Sequence, residues 1–286
     1  MTLALIDTHT HFDVEEFDHD RERLAQLSVQ QGVYALVLIG YLAKYFPRMQ
    51  AIYGQMQTWA SRAQSPIPKL TAGLHPFYII EHQPDDILRL EQFLKHNDCL
   101  AIGEIGLDTY TEQMKVPTVY QAQQNLFHAQ LELAQQFGLP VMLHIRRAHA
   151  DTLKILKQHK FAHGGIAHAF SGGIEEAKAL INMGFNIGVT GQVTDPNAKK
   201  LRQVVSTLGA EHLVLETDCP DMTPLCCRLP HERRTRNTPA NLPHVLDGLA
   251  ELLQMEKPAL ARQLWHNTRQ CLAWSDLPDV ECLPHP

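Results

Sequence analysis

No apolar run in this 286-residue chain is long enough to cross a bilayer. The longest, VYALVLIG from Val33, falls far short of the ~20 residues that a spanning helix needs. The N-terminus lacks the basic segment, apolar stretch and small-residue cleavage site of a secretory signal. Cysteine is scarce: Cys99, Cys219, Cys226, Cys227, Cys271 and Cys282 show no C-x-x-C spacing and are too few for a disulfide scaffold. Free thiols in a reducing compartment are therefore expected, and with them a cytoplasmic location. Positive charge is not in excess either. At a net charge of −6, any polyanion would have to meet a local basic patch. No membrane contact and no obligate protein partner are implied.

What is present is the material of a globular enzyme, 44% apolar and 20% charged, with enough length for a sizeable core. Eight short apolar runs recur: LALI (from Leu3), VYALVLIG (Val33), KLTAGLH (Lys69), CLAIGEIGL (Cys99), LPVMLHI (Leu139), GGIAHAF (Gly164), FNIGVTG (Phe185) and HLVLETD (His212). Most are continuous rather than alternating, as expected for strands buried on both faces. Between them lie stretches with helical spacing. The clearest is YQAQQNLFHAQLELAQQFG, where Leu126, Phe127, Gln130, Leu133, Ala134 and Phe137 recur at three- and four-residue steps, with Gly138 placed to end the helix. Alternating strands and helices imply a parallel sheet, and eight units in roughly 250 residues match an α/β fold of the (β/α)8 TIM-barrel type. An open dinucleotide-binding sheet is disfavoured, because no G-x-G-x-x-G follows the first run. Two C-terminal helices are expected after run eight, with Pro239 and Pro258 near their starts. No linker is evident, so residues 1–286 read as one domain with a core of about 3–272 and an irregular tail over 276–286.

Run one ends in DTHTHFD. In an extended backbone, residues two apart share a face, so His9 and His11 present two imidazoles to one point. Barrel active sites lie where strands end, so the other run ends are the places to look for partners. They supply His75 (GLHP), Glu104 (GEIGLD), His144 (MLHIR), His168 (AHAFSG) and Asp218 (LETDCP). A single histidine at a strand end is ordinarily a packed or surface residue. A carboxylate in an apolar strand is costly unless paired or metal-bound, which singles out Glu104 and Asp218. Taken together, His9, His11, Glu104, His144, His168 and Asp218 form a set of four imidazoles and two carboxylates at one mouth. That donor set suits borderline divalent ions. Six ligands exceed the needs of one tetrahedral ion, so two ions bridged by a carboxylate are expected, with Zn, Mn, Mg and Co all left open. His82, His96, His128, His159, His163 and His231 fall on helical or loop stretches and read as solvated.

In order along the chain, DTHTHFD, GLHPFY, AIGEIGLDTY, LPVMLHIR, HAFSGG, LVLETDCP and RNTP resemble the motifs of the TatD-related metal-dependent deoxyribonucleases, a branch of the amidohydrolase-like metal-dependent hydrolases. The resemblance runs from residue 5 to about residue 272. It implies that His9, His11 and Asp218 hold one ion, that Glu104 bridges both, and that His144 and His168 hold the second, with His75 lining the pocket near a scissile phosphate. Three positions depart from the pattern: Thr10 and Ala169 replace usual cysteines, and Thr238 replaces a usual glutamate, which bears on the anchoring of its loop. The Cys226-Cys227 pair in that long loop is unusual.

The activity implied is a 3'-5' exonuclease on single-stranded DNA, using a water activated by two metals, with Asp218 as general base and Glu104 and His75 as further catalytic groups. Arg146 and Arg236 are the expected substrate-binding arginines, within a set of rim cations that also includes Arg147, Arg228, Arg233 and Arg234. Phe12, Phe77, Tyr78 and Tyr110 are candidates for stacking bases. The alternative is a two-metal hydrolase of an ester, lactone, amide or D-aminoacyl-tRNA on the same barrel. Runs four and five hold no lysine to serve as a carboxylated bridge, and Glu104 can take that place. A binding protein that had abandoned catalysis would be expected to lack one or more ligands, and none is missing.

Overall fold

The computed structural model describes residues 3–280. Eight parallel strands stand in the order β1 to β8: Leu5–Thr10, Val33–Ile39, Ile67–Ala72, Cys99–Asp108, Val141–Arg146, Gly165–Ala167, Phe185–Val189 and Leu213–Leu215. Among the described residues nine α-helices accompany them: α1 Arg21–Gln30, α2 Phe46–Ala60, α3 Asp86–His96, α4 Pro117–Phe137, α5 His149–Gln158, α6 Ile174–Ile181, α7 Lys199–Leu208, α8 Leu242–Leu253 and α9 Lys257–Cys271. Each apolar run becomes a strand because both of its faces are covered. Leu36 and Leu38 of β2 pack outward against the helices, while Ala35, Val37 and Ile39 point into the barrel. α4 ends at Gly138, whose φ of 67° is the left-handed cap that glycine adopts without a Cβ penalty.

Two strands are less than half as long as their apolar runs. β6 and β8 span three residues each, so His168 and Asp218 lie beyond them rather than inside. The chain leaves the extended region there: Ala169 has φ 40° and Asp218 φ 54°. From these turns Asp218 Oδ1 and His168 Nε2 meet at 3.5 Å.

The seam between β8 and β1 is sealed by side chains. Thr8 Oγ1 donates to Leu215 O at 3.0 Å, while Thr217 donates to Asp7 from N–H at 2.8 Å and from Oγ1 at 2.6 Å. Just above them, Asp218 N–H donates to His9 O and His11 N–H to Cys219 O, each at 2.9 Å. Asp7 is fully buried, and that desolvation pushes its carboxyl up to about 8 against the lowering effect of the Thr217 hydrogen bonds. A carboxyl whose folded pKa is raised gives stability that is complete below about pH 4 and is lost as pH rises toward 8. Asp7→Asn keeps an acceptor for Thr217 N–H but cannot ionise. In chelator-treated protein the variant's Tm relative to wild type should therefore climb from pH 5 to pH 8; parallel profiles would refute the assignment.

α4 carries two buried amides on its inner face. Gln130 accepts from Leu74 N–H at 2.7 Å and donates to Leu74 O at 3.1 Å, while Gln123 does the same to Asp108 at 2.8 and 2.9 Å. These clips satisfy backbone groups beyond the end of β3 and at the end of β4, where the sheet ladder runs out. They explain why a glutamine occupies an apolar stripe, and they hold the residues beside His75 and His144.

The opposite end of the barrel is closed by the chain after α9. Leu272, Trp274 and Leu277 pack against the interior residues Ile6, Val37, Ala101, Met142, Ile166 and Val214. Lys69 Nζ, 2.8 Å from Asp276, lies over the Trp274 ring. The tail expected from 276 is irregular as far as Val280, yet it contributes Leu277 to the plug; residues 281–286 lie outside the described part.

Candidate metal centre and cleft

The C-terminal ends of the strands surround a cleft of about 880 Å3 with a floor of histidines and carboxylates. Glu104 is its centre. Oε2 faces His9 Nε2 at 3.2 Å and His11 Nε2 at 3.7 Å, while Oε1 faces His144 Nδ1 at 2.8 Å and His75 Nε2 at 3.2 Å. Asp218 Oδ1 lies 3.8 Å from the Nε2 atoms of both His9 and His11 and 3.5 Å from His168 Nε2. The six expected ligands and His75 thus converge.

His168 Nε2 also reaches Glu104 Oε1, at 3.9 Å. His168 stacks on His9 with ring centroids 3.3 Å apart, on the Asp218 side, whereas His75 takes the place beside His144, with Nε2 3.1 Å from Nδ1. Donor atoms of His9, His11 and Asp218 lie within 4.8 Å of one another, and so do those of His75, Glu104 and His144.

Two carboxylates that the sequence reading passed over stand behind the histidines. Asp108 Oδ2 lies 2.9 Å from His144 Nε2, and Glu216 Oε1 lies 3.0 Å from His168 Nδ1. Carboxylates placed behind imidazoles in this way orient metal-ligating rings and raise their basicity. The signal was available: Glu104, Gly106 and Asp108 share one face of β4 by the period of two, and Glu216 stands two residues before Asp218 in LETD. Gly106 has to be glycine. Its φ is 140°, and a Cβ there would sit 2.1 Å from His144 O.

The electrostatics balance within the cluster. Burial raises the cost of a charge on Glu104, but His75, His9 and His168 outweigh it and hold the carboxyl well below its usual range. His144 resists burial through its hydrogen bonds to Asp108 and Glu104 and is pushed up to about 9. His75, desolvated and next to His144, drops to about 4. Its Nδ1 accepts from Phe77 N–H at 3.0 Å, which leaves the proton on Nε2, toward the cleft.

The donor set fits a divalent cation. His9 is completely buried, yet neither of its ring nitrogens is in hydrogen-bonding alignment with any described residue. A buried Nε2 that faces the carboxylates of Glu104 and Asp218 without alignment to donate to either is placed as a metal ligand would be.

A profile of the TatD related DNase family matches residues 6–273. The chain belongs to this family. The metal-dependent hydrolase YjjV of Escherichia coli K12 is 34% identical over 271 residues, which cover 94% of this chain and 97% of that protein. The 3'-5' ssDNA/RNA exonuclease TatD of Pantoea ananatis is 31% identical over 268 residues, covering 93% and 98%. The crystal structure of the Escherichia coli YjjV protein, a TatD homolog, superposes with a TM-score of 0.81 at 33% identity over 95% of this chain and 98% of that one. The chain is therefore a TatD-family metal-dependent hydrolase on a TIM barrel, and no helix among its described residues is long and apolar enough to cross a membrane.

The cleft walls of this TatD-family chain sort the expected substrate residues. Arg146 lines the cleft, its guanidinium 3.4 Å over the Tyr110 ring, with Arg147 at 4.8 Å. Arg236 does not line it: its guanidinium is bidentate to Asp20 at 3.1 and 2.6 Å and also donates to Glu16 O. Arg228 is drawn to Asp195, and Arg234 to Asp221 and Glu16. The rim cations of that loop are thus largely consumed in pinning it to neighbouring elements. Together with Asn237, which donates to Thr217 O at 2.9 Å, Arg236 anchors the loop despite Thr238. Arg48, unnoticed in the sequence, does line the cleft. Among the aromatics, Tyr78 and the partly exposed Phe77 line the wall, while Phe12 is buried against Phe17 and unavailable to a base.

Proposed function

We propose that this chain is a divalent-metal-dependent phosphodiesterase that removes nucleotides from the 3' end of single-stranded DNA. The observation that carries the reading is the placement of Glu104, one oxygen facing His9 and His11 and the other His75, His144 and His168, on the floor of a cleft walled by Arg146, Arg48 and Tyr78. His9, His11 and Asp218 would hold one ion, His144 and His168 the other, and Glu104 would reach both. When bound, two such ions polarise phosphoryl oxygens and make a water more acidic.

The remaining work falls to the chain. Asp218, turned across the mouth by its left-handed backbone, has a second oxygen that can orient the attacking water and accept its proton. His75 is neutral at pH 7 and presents Nε2–H, the hydrogen-bond donor for a non-bridging or leaving oxygen. Arg146 supplies a planar donor fork for a flanking phosphate, held by the Tyr110 ring that can also meet a base. The name of the Pantoea ananatis relative supports a nucleic-acid substrate.

The test is end-labelled single-stranded DNA incubated with metal-stripped protein, Mn2+, Mg2+ or Zn2+ being restored separately, with Asp218→Asn alongside. Metal-dependent shortening from the 3' end, absent in the variant, is expected. Absence of cleavage with two ions bound per chain would overturn the nuclease reading in favour of a small ester, lactone or aminoacyl substrate, and cleavage of RNA alone would overturn the DNA assignment.

A further inference from the structure

Two cysteines and a histidine meet outside the cleft, on a loop side that the proposed hydrolysis does not use. Cys226 and Cys227 sit in the short 3-10 turn Leu225–Cys227, one exposed and one half-buried, and neither is disulfide-bonded. Their Sγ atoms are 3.8 Å apart. His244, in the first turn of α8, brings a ring nitrogen so that all three donor atoms lie within 4.8 Å of one another.

The sulfur separation discriminates between fates for this pair. A disulfide needs the sulfurs at about 2.05 Å. Two thiolates sharing one tetrahedral ion, each ~2.3 Å from it, stand about 3.8 Å apart. The turn is also held in place: Leu225 N–H donates to Thr194 Oγ1 at 2.8 Å, Cys227 N–H to Pro224 O at 3.0 Å and Arg228 Nε to Thr223 O at 3.0 Å. Arg228, the cation next to the pair, is directed at Asp195.

We propose that Cys226, Cys227 and His244 form a surface site for a thiophilic d10 cation, Zn2+ or Cu+, with solvent completing the coordination. Two soft sulfurs and one imidazole select such ions, while the all-nitrogen-and-oxygen floor of the cleft also accepts harder ones. Binding replaces the two S–H bonds with metal–sulfur bonds and releases both protons to solvent. The ion ties the loop to α8, and the same loop carries Asp218, Asp221 and Met222 of the cleft at its other end.

Cd2+ is the probe, titrated into the full chain with its cleft saturated with Mn2+, and followed by the ultraviolet thiolate-to-cadmium charge-transfer band. One Cd2+ per chain with this band is expected, displaced by Zn2+ or by Cu+. The band should vanish in Cys226→Ser/Cys227→Ser, and His244→Ala should bind at least ten-fold more weakly. All three side chains lie at the surface, so the variants should keep the wild-type circular dichroism. No band in wild type, a band surviving in the double variant, one Cd2+ per two chains, unchanged affinity in His244→Ala, or resistance to both Zn2+ and Cu+ would each overturn the site. None of these readouts depends on nuclease activity.

Discussion

Glu104→Gln should abolish metal-dependent hydrolysis, lowering turnover by about a thousand-fold or more, a loss of roughly 4 kcal/mol in transition-state stabilisation. The expectation follows from where the two carboxylate oxygens point. Glutamine keeps the length and one oxygen but puts an NH2 group, a donor, where either His9 and His11 or His75 and His144 face the side chain. One side of the cluster then loses its anionic ligand. Metal analysis should find fewer ions per chain than in wild type, for which the proposed function expects two. Asp108→Asn, whose side chain meets the far nitrogen of His144 and accepts from Tyr110 N–H, is the graded comparison and should weaken metal affinity by about 10–100-fold. A Glu104→Gln protein that retained two ions and turned over within ten-fold of wild type would remove Glu104 from the centre.

The largest effect on stability is expected far from the cleft. Trp274 is almost completely buried at the bottom of the barrel, against inward-facing residues of the strands and the Lys69 side chain. Truncating a large aromatic in a packed core leaves a cavity that the surroundings fill only in part, at a cost of about 3–5 kcal/mol. For a chain of this size that corresponds to roughly 6–15 °C in Tm. Thermal unfolding of Trp274→Ala measures it. A shift under about 2 °C would mean that the segment after α9 is an ornament rather than a plug. Hydrolysis at low temperature should survive this change, because the plug and the metal-binding floor occupy opposite ends of the strands.

These two sites differ in how openly the sequence declares them. Glu104 was legible because a carboxylate in an apolar run has few explanations, and His9 and His11 because their two-residue spacing gives one direction in a strand. The eight runs and the α4 stripe were legible for the same reason: periodicity is local. Asp108 and Glu216 also lay in the quoted motifs, but their value depends on which ring nitrogen each one meets, and that contact spans from β4 to β5 or from the β8 end to the β6 end. Arg236 shows the converse. Its position in a basic loop suggested a phosphate contact, and the fold pairs it with Asp20 at the start of α1, far away in sequence.

By itself the sequence determined the strand and helix alternation, the family, the donor types and the strand ends that carry them, since each depends on residue identity and near-neighbour spacing. Only the tertiary structure decided that His75 stands beside His144, that Asp7 and Thr217 seal the seam, that Trp274 closes the barrel and that Cys226, Cys227 and His244 meet. Those are outcomes of packing between elements far apart in the chain, where a side chain's role is set by what arrives opposite it.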